Sequence, residues 1–140
     1  MWFDNICSFL RFVVSESEYD PTYDNPIDWG ILYTFSKQQA VAGIIFNVVR
    51  RLSEVGIKPP ENILFEWISL TEQIRGMNSI LNKTATQLSA MFNDAGFKTC
   101  ILKGQGNAVM YPDAFLRTPG NIDIWVQGKR GEIRVCTKEF

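Results

Sequence analysis

Up to Gly96 the apolar positions recur at helical spacing; beyond it they alternate. Ile6, Phe9, Leu10 and Val13 predict a first helix, capped by Asp4 and ending near Val14. Ser15 to Asn25 is acidic, aperiodic and interrupted by a proline, and reads as a surface loop. Pro26 at a first helical position, with Asp28 in the first turn, opens a second helix to about Ser36. This helix carries Ile27, Trp29, Ile31, Leu32, Tyr33 and Phe35. Ser36, with Gln39 three residues on, then predicts the capped start of a third helix over Lys37 to Glu54. Val41, Ile44, Ile45, Val48, Val49 and Leu52 form its stripe, Ala42 and Gly43 mark a close helix contact, and Gly56 stops it.

Pro59-Pro60 introduces the longest element, Glu61 to Asn93, about 50 Å at the helical rise. Its apolar residues repeat at seven: Trp67, Ile74, Leu81 and Leu88 in one row, Ile63, Leu70, Met77 and Met91 in the other, with Thr84 interrupting. That period suits packing along a neighbouring helix, within the chain or in a homodimer through the long helix. Gly76 is its weakest point.

The alternating part begins with an apolar strand, Cys100 to Leu102, which ends on Lys103-Gly104. A short helical segment reaches Tyr111-Pro112, and Arg117 and Pro119-Gly120 lead into Asn121 to Val126. There Ile122, Ile124 and Val126 point one way, and Asn121, Asp123 and Trp125 the other. After a turn at Gly128 to Gly131, Glu132 to Phe140 reads as a third strand, with Ile133, Val135 and Thr137 on one face. Helices first and strands last predict an α+β fold: a helical region over residues 1–96, then a small α/β part over 97–140.

Composition narrows the chemistry. In 140 residues the net charge is −1 with the signs mixed, so there is no general basic surface for nucleic acid. There is no histidine, which excludes Ser-His-Asp and Cys-His catalysis within the chain. The three cysteines, 7, 100 and 136, lack metal-ligand spacing and read as buried free thiols in a reducing compartment. No run is apolar and long enough for a membrane span, and Asp4 and Arg11 interrupt the apolar N-terminus, so a cytoplasmic, soluble protein is expected.

The candidate chemistry lies between Lys103 and Asp123. Asn121 and Asp123 share a strand face about 7 Å apart, a spacing at which two oxygen-bearing side chains can share Mg²⁺. Lys103-Gly104-Gln105-Gly106 follows a strand; glycine admits a phosphate to the backbone amides and the lysine adds charge. Each feature alone has a plain reading: a solvated strand face, an ordinary turn, and for Arg117 a surface-loop residue. Their clustering favours phosphate-plus-metal chemistry, in which positioning and charge neutralisation do most of the catalysis.

The block LKGxxxAxxYPDxxxRxPGxIDIWV, Leu102 to Val126, resembles the uncharacterised nucleotidyltransferase family of the DNA polymerase β-like superfamily. The resemblance implies a helical region followed by a mixed α/β palm, here incomplete, that binds an NTP and Mg²⁺ and transfers a nucleoside monophosphate to an acceptor not identified by the sequence. Lys103 and Gly104, with Gln105 beside them, match the phosphate turn. Arg117 matches the arginine before the metal strand, and Asp123 the second metal carboxylate. Asn121 stands where the family has its first carboxylate, and the third acid has no counterpart at matching spacing, Glu132 and Glu139 being the acidic residues downstream. The alternative is a catalytically inactive member acting as a nucleotide-binding or protein-interaction module.

Overall fold

The computed structural model describes residues 2–14, 27–129 and 131–133. In chain order its elements are α1 (Trp2–Val14), α2 (Trp29–Gln38), α3 (Ala42–Glu54), α4 (Glu61–Asp94), β1 (Lys98–Leu102), α5 (Lys103–Ala108), a 3-10 turn (Ala114–Leu116) and β2 (Asp123–Gln127). The fold is α+β, as expected. It divides into two compact units, Met1–Ile74 and Arg75–Phe140, and the division falls inside α4. The loop expected over Ser15 to Asn25, together with Pro26, lies outside the described residues.

In the first unit the helices form but three expected starts move. Asp4 does not cap α1, because the helix already includes Trp2 and Phe3. Asp28, expected in the first turn of α2, is instead its N-cap: its backbone is extended and Oδ1 accepts the Ile31 N–H at 3.0 Å. Ser36 does not open the third helix. It is fully buried inside α2, where Oγ donates to the Tyr33 carbonyl at 2.7 Å.

The break comes later, where Ala40 takes a left-handed conformation (φ 57°). Ala40 N–H donates to Lys37 O and Val41 N–H to Ser36 O, a Schellman closure with alanine in the place usually held by glycine. Gly56 and Gly96 close α3 and α4 by the same bond pattern.

The core of this unit is apolar. Ile6 and Phe9 of α1, Leu32 and Tyr33 of α2, and Ile45, Val48, Val49 and Leu52 of α3 surround Trp67 of α4. Trp67 is 0% exposed; its indole N–H donates to the Ala42 carbonyl at 2.9 Å. Its ring lies 5.1 Å from that of Tyr33 and 6.1 Å from that of Phe46, centroid to centroid. Ala42, buried like its neighbour Gly43, thus stands at a contact with α4.

Along α4 the buried set differs from the apolar rows. Trp67 and Ile74 of the first row are buried, and Leu81 and Leu88 partly so. The companion row is Thr71, Asn78, Ala85 and Phe92, all buried, whereas Met77 of the expected second row is 54% exposed. Polar and small residues at those positions hide the seam from a count of apolar side chains.

In the second unit β1 and β2 pair antiparallel, with Leu102 opposite Asp123, Cys100 opposite Trp125 and Lys98 opposite Gln127. These residues share one sheet face, on which Cys100, Leu102 and Trp125 are exposed. Cys100 is therefore not the buried thiol expected, and Cys7 is half-buried. The ladder starts at Asp123 rather than Asn121 because β1 ends at Leu102. Residues 131–133 are helical where a third strand was expected to begin, with Ile133 N–H donating to Lys129 O; residues 134–140 of that expected strand, and Cys136, lie outside the described residues. At the end of α4 the rings of Phe92 and Phe97 meet edge to face across the Gly96 closure. Among the described residues no helix is long and apolar enough to cross a membrane.

Candidate functional site

The site grows from the end of β1. Leu102 is still extended, but Lys103 takes φ 45° and Gly104 leaves helical geometry altogether (φ 6°, ψ −98°), so the chain turns sharply into α5. A left-handed lysine costs about 1–3 kcal/mol and persists only where its surroundings hold it. Two close approaches do so. A Cβ on Gly106 would stand 2.4 Å from the Ile101 carbonyl oxygen, so only glycine lets α5 fold back on β1. A Cβ on Gly104 would meet the Asn121 carbonyl at 3.2 Å and both terminal nitrogens of Arg117 at 4.0 Å.

The glycine turn, Arg117 and Asn121 are thus neighbours. The β1–β2 register adds Asp123, opposite the residue before Lys103. The candidates Lys103, Gly104, Arg117, Asn121 and Asp123 fall in one place, as their clustering along the sequence suggested. Lys103 is exposed at its turn.

Gln105, also expected at the phosphate turn, is buried and engages α4. Its amide nitrogen donates to Asn82 Oδ1 at 2.6 Å and Asn78 Oδ1 at 3.4 Å. Its own Oε1 is buried and has no hydrogen-bond partner among the described residues.

Arg117 carries the clearest electrostatic anomaly. Its Nη1 is buried beside Gly104 and meets no hydrogen-bond acceptor among the described residues. A buried guanidinium donor without an acceptor is costly, and an anionic oxygen arriving at the glycine turn would remove that cost.

The carboxylate side is less complete. Asn121 Nδ2 donates to Asp123 Oδ1 at 2.9 Å, so the amide presents its nitrogen to the carboxylate and occupies one of its oxygens. No group of three or more His, Cys, Asp or Glu side chains suited to a metal occurs among the described residues. Among the described residues the donor set is thus the one carboxylate of Asp123, enough to contribute to holding a single hard cation and too little for a pair.

Residues outside the sequence candidates hold this place together. Asp113 Oδ1 accepts the Phe115 N–H at 2.9 Å and starts the 3-10 turn, while Oδ2 pairs with Arg75 of α4 at 2.8 Å. Asn78, 0% exposed, donates through Nδ2 to the carbonyls of Phe115 (3.0 Å) and Arg117 (2.7 Å). The one sequence signal for Asn78 was an amide within an otherwise core-forming helix, which apolar periodicity passes over.

Residues 25–134 match the family model described as uncharacterised nucleotidyltransferase. No curated protein and no solved structure matches the chain.

Proposed function

Because the chain belongs to the uncharacterised nucleotidyltransferase family, we propose that it binds a nucleoside triphosphate with magnesium at the Lys103–Gly104 turn and transfers the nucleoside monophosphate to an acceptor. The observation that carries this reading is the buried Nη1 of Arg117, without a hydrogen-bond partner among the described residues, beside Gly104, where an added Cβ would stand 3.2 Å from the Asn121 carbonyl. Such a donor is satisfied by a phosphate oxygen, and Lys103 adds a second positive charge from an exposed position one residue away. Asp123, opposite the end of β1, would hold the single magnesium ion. When bound, that ion neutralises phosphate charge and polarises the α-phosphoryl group.

In the transfer an acceptor oxygen attacks the α-phosphorus, the bond to the bridging oxygen of the β-phosphate breaks, and pyrophosphate leaves while the acceptor loses its proton to solvent. Arg117 and Lys103 bind and orient the polyphosphate, and the Gly104 backbone lets it approach. Gln105, buried against α4, orients the first turn of α5 rather than touching phosphate.

A second reading, nucleotide binding without transfer, is favoured by the Asn121–Asp123 hydrogen bond, which leaves one carboxylate where two-ion chemistry wants a pair. One experiment separates the two. Labelled NTPs with Mg²⁺ or Mn²⁺ are incubated with wild type, Asp123→Ala, Arg117→Ala and Asn121→Asp, and both binding and product are followed. Transfer predicts a labelled product that Asp123→Ala abolishes; binding alone predicts NTP affinity without product until Asn121→Asp supplies the second carboxylate. If Arg117→Ala leaves NTP affinity unchanged, the phosphate turn is misassigned.

A further inference from the structure

We infer that Asn78 is a positioning residue that sets Arg117 against the glycine turn and so controls polyphosphate affinity from within α4; this rests on the phosphate reading of Arg117 given above. The segment Asp113–Arg117 is irregular apart from one 3-10 turn, so its own backbone bonds do not fix where the arginine sits. Two residues of α4, one turn apart, hold it instead. Arg75 pairs with Asp113 where the segment begins, and Asn78 donates to the carbonyls of Phe115 and of Arg117 itself where it ends. Both amide hydrogens of Asn78 are thereby directed at the segment, and its Oδ1 accepts from Gln105 of α5.

Asn78 therefore touches both walls of the site: the arginine segment through its donors and the helix after the Lys103–Gly104 turn through its acceptor. A fully buried side chain with this bonding has no rotational freedom, and the Arg117 backbone is fixed at 2.7 Å from it. Aspartate at this position has the same shape but, ionised, no donors, so it would repel both carbonyls. Serine keeps one donor at shorter reach.

The test uses the full chain and inorganic tripolyphosphate as the probe, with affinity measured by calorimetry. Asn78→Ser and Asn78→Asp are made alone and in an Arg117→Ala background, and thermal melts are recorded for each. The expected result is a roughly tenfold loss of affinity for either Asn78 variant when Arg117 is present, and no additional loss when Arg117 is alanine. For Asn78→Asp the loss diminishes as the pH is lowered and the carboxyl regains a proton to donate. Equal losses in both backgrounds would overturn the proposal while leaving the phosphate site intact. No loss from Arg117→Ala alone would instead remove the phosphate reading, and the proposal with it.

If neither Asn78 variant folds, wild type decides. By reciprocity of coupled equilibria, saturating tripolyphosphate must slow hydrogen exchange of the Asn78 side-chain amide several-fold. An unchanged exchange rate sinks the proposal.

Discussion

Trp67 and Asn78 are both fully buried residues of α4, one in each unit, and they are buried for opposite reasons. Trp67 fills an apolar core assembled from four helices and uses its one polar group to reach the Ala42 carbonyl. Asn78 fills no such core; its amide binds two carbonyls of an irregular segment and a glutamine of a short helix. The first unit is held by area removed from water, which tolerates imprecise geometry. The second also buries Ala85, Phe92, Ala108 and Leu116, but its irregular segment depends on directional bonds, which fail when a donor moves by an ångström. Orphaned polar atoms are found in the second kind of interior, at Gln105 and Arg117, beside the candidate site. An interior built on hydrogen bonds can leave one donor open for a ligand, whereas Ser36, Thr71 and the Trp67 indole in the first unit all donate to carbonyls.

The largest expected effect breaks the apolar side of this contrast. Trp67→Ala removes the central ring of the first unit and its contacts with Tyr33 and Phe46, and should cost about 3–5 kcal/mol in urea unfolding. Trp67→Phe keeps the bulk, loses the Ala42 bond, and should cost a fraction of that. If the two substitutions cost the same, the indole hydrogen bond and not apolar burial organises this core, and the contrast between the units collapses.

A smaller effect sharpens the second unit. Gly106→Ala would force a methyl group to within 2.4 Å of the Ile101 carbonyl, and α5 must lift from β1 to accept it. Overpacking of this kind costs about 1–3 kcal/mol. Since α5 begins at the Lys103–Gly104 turn, the same variant should lose polyphosphate affinity even where it remains folded at low temperature. Gly76→Ala is the control: its added Cβ meets nothing within 4 Å, and it should stabilise α4 slightly.

The same contrast explains what could be read in advance. Apolar periodicity marked the first unit well: Ile6, Phe9, Ile45, Val48, Val49, Leu52 and Trp67 were visible as core positions. Gly56 was visible as a helix stop because glycine suits a left-handed residue, and Gly96 as the point where the apolar period changes. Ala40 closes α2 in the same conformation and was not visible, since alanine carries no mark of that role; Ser36, a good cap by type, is buried inside the helix instead.

In the second unit the candidate residues were legible from their clustering along the sequence, and the register sets Asp123 opposite Leu102, the residue before Lys103. Their supports were not. Asn78, Asn82 and Arg75 lie on a helix far from the motif in sequence, and polar residues have no periodic signature. Gln105 was legible as part of the turn but not as a residue facing α4.

The smallest expected effect concerns a titrating group of the apolar cluster whose pKa is altered. Tyr33 has its pKa raised above the ordinary 10.0, first by burial, then by the negative charge of Glu66 and the hydrogen bond to it. The neutral phenol is therefore favoured in the folded state. Its contribution to stability is complete below pH 10, where both states hold the proton, and is lost as pH rises through the higher folded value. Wild type should thus lose stability more steeply above pH 10 than Tyr33→Phe, measured as urea midpoints across that range. The variant lacks the Glu66 bond and starts slightly less stable, so the two curves converge as the pH rises. Parallel curves would mean that Tyr33 ionises without cost. The edge of the first unit, where the phenol meets exposed Glu66, would then be open to water, and the dry interior that sets this unit apart from the second would stop short of the Tyr33 hydroxyl.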